Sequence, residues 1–274
     1  MSPIDGQARA NGPPTMPPPT LSPDRRDSLI RQVAASLVVP ELLARFGAPP
    51  IGSWRRDAAT LSRRLIDQPL AEAVASLAEL NPGGHMFRPV CRDIILPAAR
   101  ILRRRYASEA FDQSERLSRT WHLRMCLLSL EDAGLGGTVP AVLHSALTLS
   151  GAAHMPSVEH GVALRFFDRS GWDVSDCCSR QAEEACDCAH DQDFDVAWIS
   201  LEPGMGVAAI RETARNVRSA SRNASILVLG GGVMGMPAED PRELDLDGFT
   251  GSAVEAAMIA ESALLRHRPG AFLR

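Results

Sequence analysis

The chain has 274 residues with a formal net charge of -4 at pH 7, and 45% of its residues are hydrophobic. This balance is that of a folded, soluble protein with room for two compact domains, and it excludes a chain that is disordered or fibrous throughout. The longest apolar runs, such as residues 196–201, are far shorter than the roughly 20 residues that span a bilayer. We therefore expect no membrane association.

Residues 1–25 are rich in proline and small polar residues and lack the apolar core of a signal peptide. We expect this segment to be a disordered tail and the protein to stay in the cytoplasm. A reducing compartment keeps thiols free, so no disulfide is expected among the cysteines. These are Cys91, Cys126, Cys177, Cys178, Cys186 and Cys188.

Residues 26–134 form the first domain that the pattern predicts. Apolar residues recur there at steps of three and four, a spacing typical of amphipathic helices. The helices are predicted at about 29–43, 61–77, 87–102 and 111–130. Four such helices with short connections are expected to pack as a helical bundle.

Residues 138–268 change character, because short β-rich runs alternate there with helical stretches of about a dozen residues. Strands are predicted at 142–149, 172–177, 194–201, 225–229 and 246–250, and helices at 158–169, about 179–190, 205–219 and 252–265. This alternation predicts a flavodoxin-like, doubly wound sheet of five parallel strands. Ligands of such sheets bind at the carboxyl ends of the strands, so function should concentrate near residues 150–161, 176–180, 200–206 and 230–237.

Three of the predicted loops carry a pattern that fits a metal-containing cofactor. The loop after the first strand ends in His160, the third strand ends in Ser200, and the fourth ends in Gly230 and Gly231. Neutral imidazole is a good ligand for cobalt or iron. Glycine allows a ligand to approach the backbone closely. The loops are therefore expected to form one cofactor site.

This order of residues resembles the cobalamin-binding domain family, whose pattern is Asp-x-His-x-x-Gly, then a serine, then a glycine pair. The resemblance implies that cobalamin binds with its benzimidazole tail displaced from cobalt and buried beside the sheet. It also implies that His160 is the lower axial metal ligand, that Ser200 hydrogen-bonds the tail, and that Gly230 and Gly231 leave it room.

The chain departs from the family pattern in the first loop. Val158 stands in place of the aspartate and Ala163 in place of the last glycine. The family's aspartate orients the imidazole and raises its basicity. We expect Glu159 or Asp168 to take over that role.

The helical half resembles the cap that precedes such domains, on the segment from Arg92 to Leu102. The family's caps carry a tryptophan over the upper face of the corrin, and the resemblance implies that Tyr106 stands in that place here. The Glu159–His160 pair on its proline-containing loop, the segment 166–172 after it and the helix that contains Pro97 resemble the AerR/PpaA antirepressors of purple photosynthetic bacteria. Glu159 and Gly161, beside His160, are expected to contact the cofactor.

This closer resemblance implies a transcriptional regulator and not an enzyme. Its cofactor would be cobalamin, as the adenosyl or hydroxo form, with light or redox as input. Its partner would be a redox-responsive repressor of photosystem genes, of the PpsR/CrtJ type, with DNA contacted through that partner. The alternatives are a corrinoid methyl carrier, a haem-binding sensor, and a cofactor-free interaction module with the same fold.

Other residues have more ordinary interpretations. The cluster from Cys177 to Cys188 is expected to be structural, with a thiol switch or metal site as the alternative. The basic run 100–105 is expected to be a solvated helix face, with DNA contact as the alternative. Trp121 and Trp172 are expected to pack in the two cores. His154 is expected to be a neighbour of the site and not its ligand.

Overall fold

The computed structural model describes residues 54–80, 87–107, 112–130, 144–150, 156–177, 182–202, 205–232 and 241–267. The predicted tail, the predicted helix at 29–43 and His154 lie outside these residues. The helical elements of the N-terminal half are α1 (Trp54–Asp67), α2 (Leu70–Leu80), α3 (Phe87–Val90), a π-helical turn (Cys91–Ile95), α4 (Leu96–Tyr106) and α5 (Gln113–Ser129).

The predicted helix at 61–77 is wrong in one respect, because the segment forms two helices. The break falls at Gln68 and Pro69, between α1 and α2. Proline has no backbone N–H to donate and disfavours a helical conformation in the residue before it. Ala73 instead begins the hydrogen bonding of the next helix, with its N–H donating to the carbonyl of Pro69 at 3.0 Å.

The predicted helix at 87–102 is confirmed, but it is not α-helical throughout. Its middle is the π-helical turn, in which the N–H of Leu96 donates to the carbonyl of Cys91, five residues back. Pro97 follows directly, within the first turn of α4. A proline ring crowds the carbonyl four residues before it, and the wider turn accommodates that crowding.

The C-terminal half confirms the predicted flavodoxin-like sheet. Its elements are β1 (His144–Ser150), α6 (Val158–Arg169), β2 (Trp172–Asp176), α7 (Ala182–Asp191), β3 (Val196–Ser200), α8 (Val207–Ala220), β4 (Leu227–Gly231), β5 (Gly248–Thr250) and α9 (Ala256–His267), with short 3₁₀ turns at Pro241–Leu244 and Ala253–Glu255. The strands are parallel and lie in the order β2-β1-β3-β4-β5. The order reverses direction between β1 and β3, which is where this class of sheet binds ligands.

The two faces of the sheet pack against different helices. Trp198 and Leu229 lie in the core that also contains α6, α9 and the helical half of the chain. Ile199 and Val228, which are adjacent to them in the same strands, lie in a second core with α7 and α8. Alternate residues of a strand point to opposite faces, so each strand contributes to both cores. Within the described residues, no helix is both long and apolar enough to cross a membrane.

Candidate functional site

His160 lies in the first turn of α6, at the carboxyl edge of the sheet. Ser157 caps this helix, and its Oγ accepts a hydrogen bond from the backbone N–H of His160 at 3.1 Å. Such a cap satisfies a donor that the helix itself leaves without a partner and fixes where the helix begins. The His160 side chain is 0% exposed, so the imidazole lies in the protein interior.

Both ring nitrogens of His160 have oxygen partners that come from strand ends. Nδ1 is 2.8 Å from Oγ of Ser200, the last residue of β3. Nε2 is 2.9 Å from Oδ1 of Asp176, the last residue of β2. These strands flank β1 on either side, so the imidazole bridges the point where the strand order reverses.

The neighbouring donors determine where the imidazole proton lies. Thr148 Oγ1 donates to Asp176 Oδ1 at 3.1 Å, and Trp198 Nε1 donates to Ser200 Oγ at 3.2 Å. An ionised carboxylate only accepts hydrogen bonds, so Nε2 of His160 carries the proton that binds Asp176. The Ser200 hydroxyl can donate to Nδ1 or accept from it. Both ring nitrogens therefore have hydrogen-bond partners.

The carboxylate partner of His160 is therefore neither of the two residues predicted for that role. Glu159 binds Arg103, and Asp168 lies 3.2 Å from Arg165 on the outside of α6. Asp176 had a signal in the sequence, since it lies one residue before the end of the strand predicted at 172–177 and begins the predicted functional loop at 176–180. Because parallel strands end at one edge, a carboxylate from the neighbouring strand replaces the one missing at Val158.

Glu159 connects the site to the helical half of the chain. Its Oε1 lies 2.7 Å from Nη2 of Arg103 on α4, and its side chain is 5% exposed. Arg105, from the same basic run, binds Asp67 through two hydrogen bonds of 2.6 and 3.1 Å. The prediction that this run is only a solvated helix face is therefore wrong for Arg103, whose charge neutralises a buried carboxylate.

Glu202, two residues after β3, is a second buried carboxyl group at the same edge. Its Oε1 accepts a hydrogen bond from Ser150 Oγ at 3.3 Å, and its side chain is 8% exposed. Burial raises the pKa of Glu202 above its usual value, a hydrogen bond from Ser157 opposes this, and the charge of Glu159 adds to it. Sequence reasoning did not identify Glu202 as part of the site, because a polar residue after a strand is common.

The glycines of the predicted site lie against protein atoms. A Cβ on Gly231 would lie 2.5 Å from the carbonyl oxygen of Thr250 and 2.7 Å from the Trp198 ring. A Cβ on Gly230 would lie 2.7 Å from Cδ1 of Leu246. Because glycine has no side chain, Gly231 leaves room for the indole of Trp198 and Gly230 leaves room for a methyl group of Leu246.

Gly161 has a packing role between two helices. A Cβ at this position would lie 3.2 Å from Cδ2 of Leu127, so the missing side chain lets α5 approach α6 closely. Tyr106 lies one turn beyond Arg103 on α4. The pKa of its phenol is raised, mainly by burial and then by the charge of Glu115. Tyr106 thus lies near α5, whereas His160 lies at the sheet edge.

The two tryptophans differ in their environments. Trp172 is 5% exposed and packs against Phe167 with ring centroids 5.1 Å apart, as expected for a core residue. Trp121 is 51% exposed, so the prediction that it packs in a core is wrong. The buried face of α5 carries Leu123 and Leu127, and a residue two positions before Leu123 points away from that face.

The cysteine cluster forms a thiol pair. Sγ of Cys177 and Sγ of Cys188 are 3.0 Å apart, and Cys178 lies outside the described residues. Over the part of the chain that the structure describes, no group of three or more histidine, cysteine, aspartate or glutamate side chains forms a metal site.

Comparison with known proteins agrees with this fold. No protein-family model matches the chain, and no curated protein sequence matches it. The structure of the Methanosarcina barkeri monomethylamine corrinoid protein aligns with a TM-score of 0.57 at 12% identity, over 77% of this chain and 99% of that one. At this identity, the likeness shows that the two chains share a fold.

Two further solved structures are similar at lower scores. One is a cobalamin-binding protein from Desulfitobacterium hafniense DCB-2, with a TM-score of 0.37 and 14% identity over 76% of this chain and 98% of that chain. The other is the methanol:cobalamin methyltransferase complex MtaBC from Methanosarcina barkeri, with a TM-score of 0.38 and 12% identity over 85% of this chain and 91% of that chain.

Proposed function

We propose that this chain binds a corrinoid, namely cobalamin, with His160 as the metal ligand, and that it acts as a regulator. The observation that carries the proposal is the position of His160 at the reversal of strand order, held by Ser200 through Nδ1. The shared fold with the Methanosarcina barkeri corrinoid protein supports it. Cobalt in a corrinoid would supply a metal centre whose binding state the protein could read.

The donor chemistry of the site fits such a metal. Imidazole is a good ligand for cobalt, and metal-binding histidines commonly have their other ring nitrogen held by a hydrogen bond. Ser200 holds Nδ1, so Nε2 is the nitrogen for the metal. To bind a metal, Nε2 would give up its hydrogen bond to Asp176. The Asp176 side chain is 33% exposed and so has more room to move aside than Ser200, which is 2% exposed.

The space beside Gly231 does not fit a buried benzimidazole tail, because Trp198 fills it. Trp198 is 0% exposed and packs against Phe167 of α6 with ring centroids 5.9 Å apart. We therefore place the metal at His160, and the space beside Gly231 remains occupied by the Trp198 indole.

The connection between the site and the helical half supports a regulatory role. Glu159 and His160 are adjacent in the first turn of α6, and Glu159 binds Arg103 on α4. A ligand shifts a protein between two states only if it binds them with different affinity. The state with His160 bound to Asp176 and the state with His160 bound to a metal would differ in this turn, and α4 would respond.

We propose that the partner is a redox-responsive transcriptional repressor of the PpsR/CrtJ type, with DNA contacted only through it. A corrinoid methyl carrier is the second candidate, and the likeness to the corrinoid protein favours it equally. A methyl-transfer assay with the reduced cobalamin complex separates the two. Methyl transfer at the rate of a carrier protein would mean that the chain is a methyl carrier and not a regulator.

The test of cofactor binding is an absorption spectrum. The purified protein is mixed with hydroxocobalamin, passed through a desalting column and scanned. We expect a retained corrin band whose position shifts on binding and which His160→Ala abolishes. His190→Ala is the matched control, because His190 lies exposed on α7. The absence of a retained corrin band would contradict the proposal. A Soret band after loading with haem would instead identify haem as the cofactor.

A further inference from the structure

Two cysteines lie beside the carboxyl end of β2. Cys177 directly follows that strand and is 4% exposed, and Cys188 lies on α7 and is partly buried. Their sulfur atoms are 3.0 Å apart. A disulfide bond is about 2.05 Å long, so the two sulfurs need to move by only about 1 Å to form one.

We propose that Cys177 and Cys188 are a redox-sensitive dithiol, and that closing it to a disulfide alters the His160 site through Asp176. The disulfide part of this proposal is independent of any cofactor. Its effect on ligand binding rests on the corrinoid function proposed above.

The oxidant is a small disulfide of the glutathione class. The more accessible thiolate, that of Cys188, attacks one sulfur of the small disulfide, forms a mixed disulfide and releases one small thiolate. The thiolate of Cys177 then attacks the Cys188 sulfur and releases the second. Two protein thiols are oxidised and one small disulfide is reduced to two thiols, which take up the two protons that the cysteines lose.

The connection to His160 is short and runs through covalent and hydrogen bonds. Cys177 follows Asp176 in the chain, and its backbone N–H donates to the carbonyl of Thr148 at 2.9 Å. The Thr148 hydroxyl and His160 Nε2 both bind Oδ1 of Asp176. Drawing Cys177 towards α7 therefore pulls on the one carboxylate that competes with a metal for Nε2.

The disulfide is tested by mass spectrometry. The whole chain is equilibrated in glutathione buffers of increasing oxidised fraction, alkylated and digested. We expect a cross-linked peptide of Cys177 and Cys188 that disappears in Cys188→Ser. It should persist in Cys186→Ser, the matched control, since residue 186 points about 160° away from residue 188 on the helix. Alkylation of both thiols in every buffer, or pairing of Cys178 or Cys186 instead, would overturn the dithiol.

The effect on the site is measured without a cofactor and then with one. Formation of the disulfide should change the ¹⁵N chemical shift of His160 Nε2, and Cys188→Ser should abolish that change; an unchanged shift would overturn the coupling. Hydroxocobalamin should then bind the oxidised form about fivefold more tightly than the reduced form, and equal affinity would also overturn the coupling. A protein that forms the disulfide but retains no corrin band contradicts the proposed function and leaves the dithiol standing.

Discussion

The two faces of the sheet are built on different principles. The face covered by α7 and α8 is filled by aliphatic side chains such as Ile199, Ile210 and Val228, with little polar chemistry beyond the thiols at its edge. The face covered by α6 and the helical half buries an imidazole and two carboxyl groups, those of Glu159 and Glu202. Burying such groups is costly unless each one is paired.

This difference lies in the partners that the buried polar groups have. On the polar face the imidazole and the two carboxyl groups are each paired with a distant part of the chain: His160 with β2 and β3, Glu159 with α4, and Glu202 with the end of β1. An apolar core of the same volume would be as stable or more so. The polar face therefore carries the specific geometry, and the apolar face supports it.

The largest effect is expected from Gly231→Ala on the polar face. The new Cβ would lie 2.5 Å from a backbone carbonyl oxygen and 2.7 Å from Trp198, and the backbone oxygen cannot rotate away. We expect the free energy of unfolding to fall by about 3 kcal/mol, as measured by denaturant titration.

Gly206→Ala is the matched control for that variant. Gly206 caps α8 on the other face, and a Cβ there meets no atom within 4 Å. Its cost should stay below about 1 kcal/mol. Equal losses in the two variants would mean that Gly231 is not tightly packed against Trp198.

A smaller effect is expected from Asp176→Ala. Removing the carboxylate releases His160 Nε2 from a hydrogen bond to a charged group, a bond worth about 1.5 kcal/mol. Hydroxocobalamin should therefore bind about tenfold more tightly, as measured by spectroscopic titration. Asp187→Ala, an exposed position on α7, should leave the affinity unchanged. Weaker binding by Asp176→Ala would instead make Asp176 a support of the ligand and not its competitor.

The smallest effect is a pH dependence of stability from Glu202. Its pKa is raised in the folded protein, so the folded state holds this proton more tightly than the unfolded chain does. Stability should fall as the pH rises from the usual pKa of a glutamate through the raised one. Glu202→Gln should remove that loss and so become the more stable form at higher pH.

Thermal unfolding across acidic to neutral pH measures this difference. Glu212→Gln on α8 is the control, since Glu212 is exposed and should behave as the parent protein does. A parent protein and a Glu202→Gln variant with parallel pH profiles would mean that burial does not perturb this carboxyl group.

The sequence predicted the sheet well because its signals are local. Each strand begins and ends within two residues of a predicted β-rich run. The parallel direction of the strands follows from the alternation of strands and helices along the chain. The split between α1 and α2 was missed, because the apolar spacing of Leu61, Leu65 and Leu70 continues across Pro69 as if the helix did. The π-helical turn was missed as well, since its residues continue an apolar pattern that an α-helix also satisfies.

The candidate site could be predicted only in part. Ser200 and His160 belong to a pattern with fixed order, and the structure brings them within 2.8 Å. Asp176 replaces a residue that the pattern places two positions before the histidine, and only the pairing of β1 with β2 in the sheet reveals the exchange. Glu159 and Arg103 are 56 residues apart in the chain, and no local sequence pattern predicts that they pair.

The π-helical turn between α3 and α4 sets which face of α4 meets the sheet. Such a turn holds one residue more than the α-helical turn it replaces, and one residue corresponds to about 100° of rotation. Loss of a single residue from 91–95 would turn the whole of α4, and Arg103 would no longer face Glu159. The same rotation would move Ala99 and Leu102 out of the core that α4 shares with the sheet, so the π-helical turn sets both the ion pair and the packing of this helix.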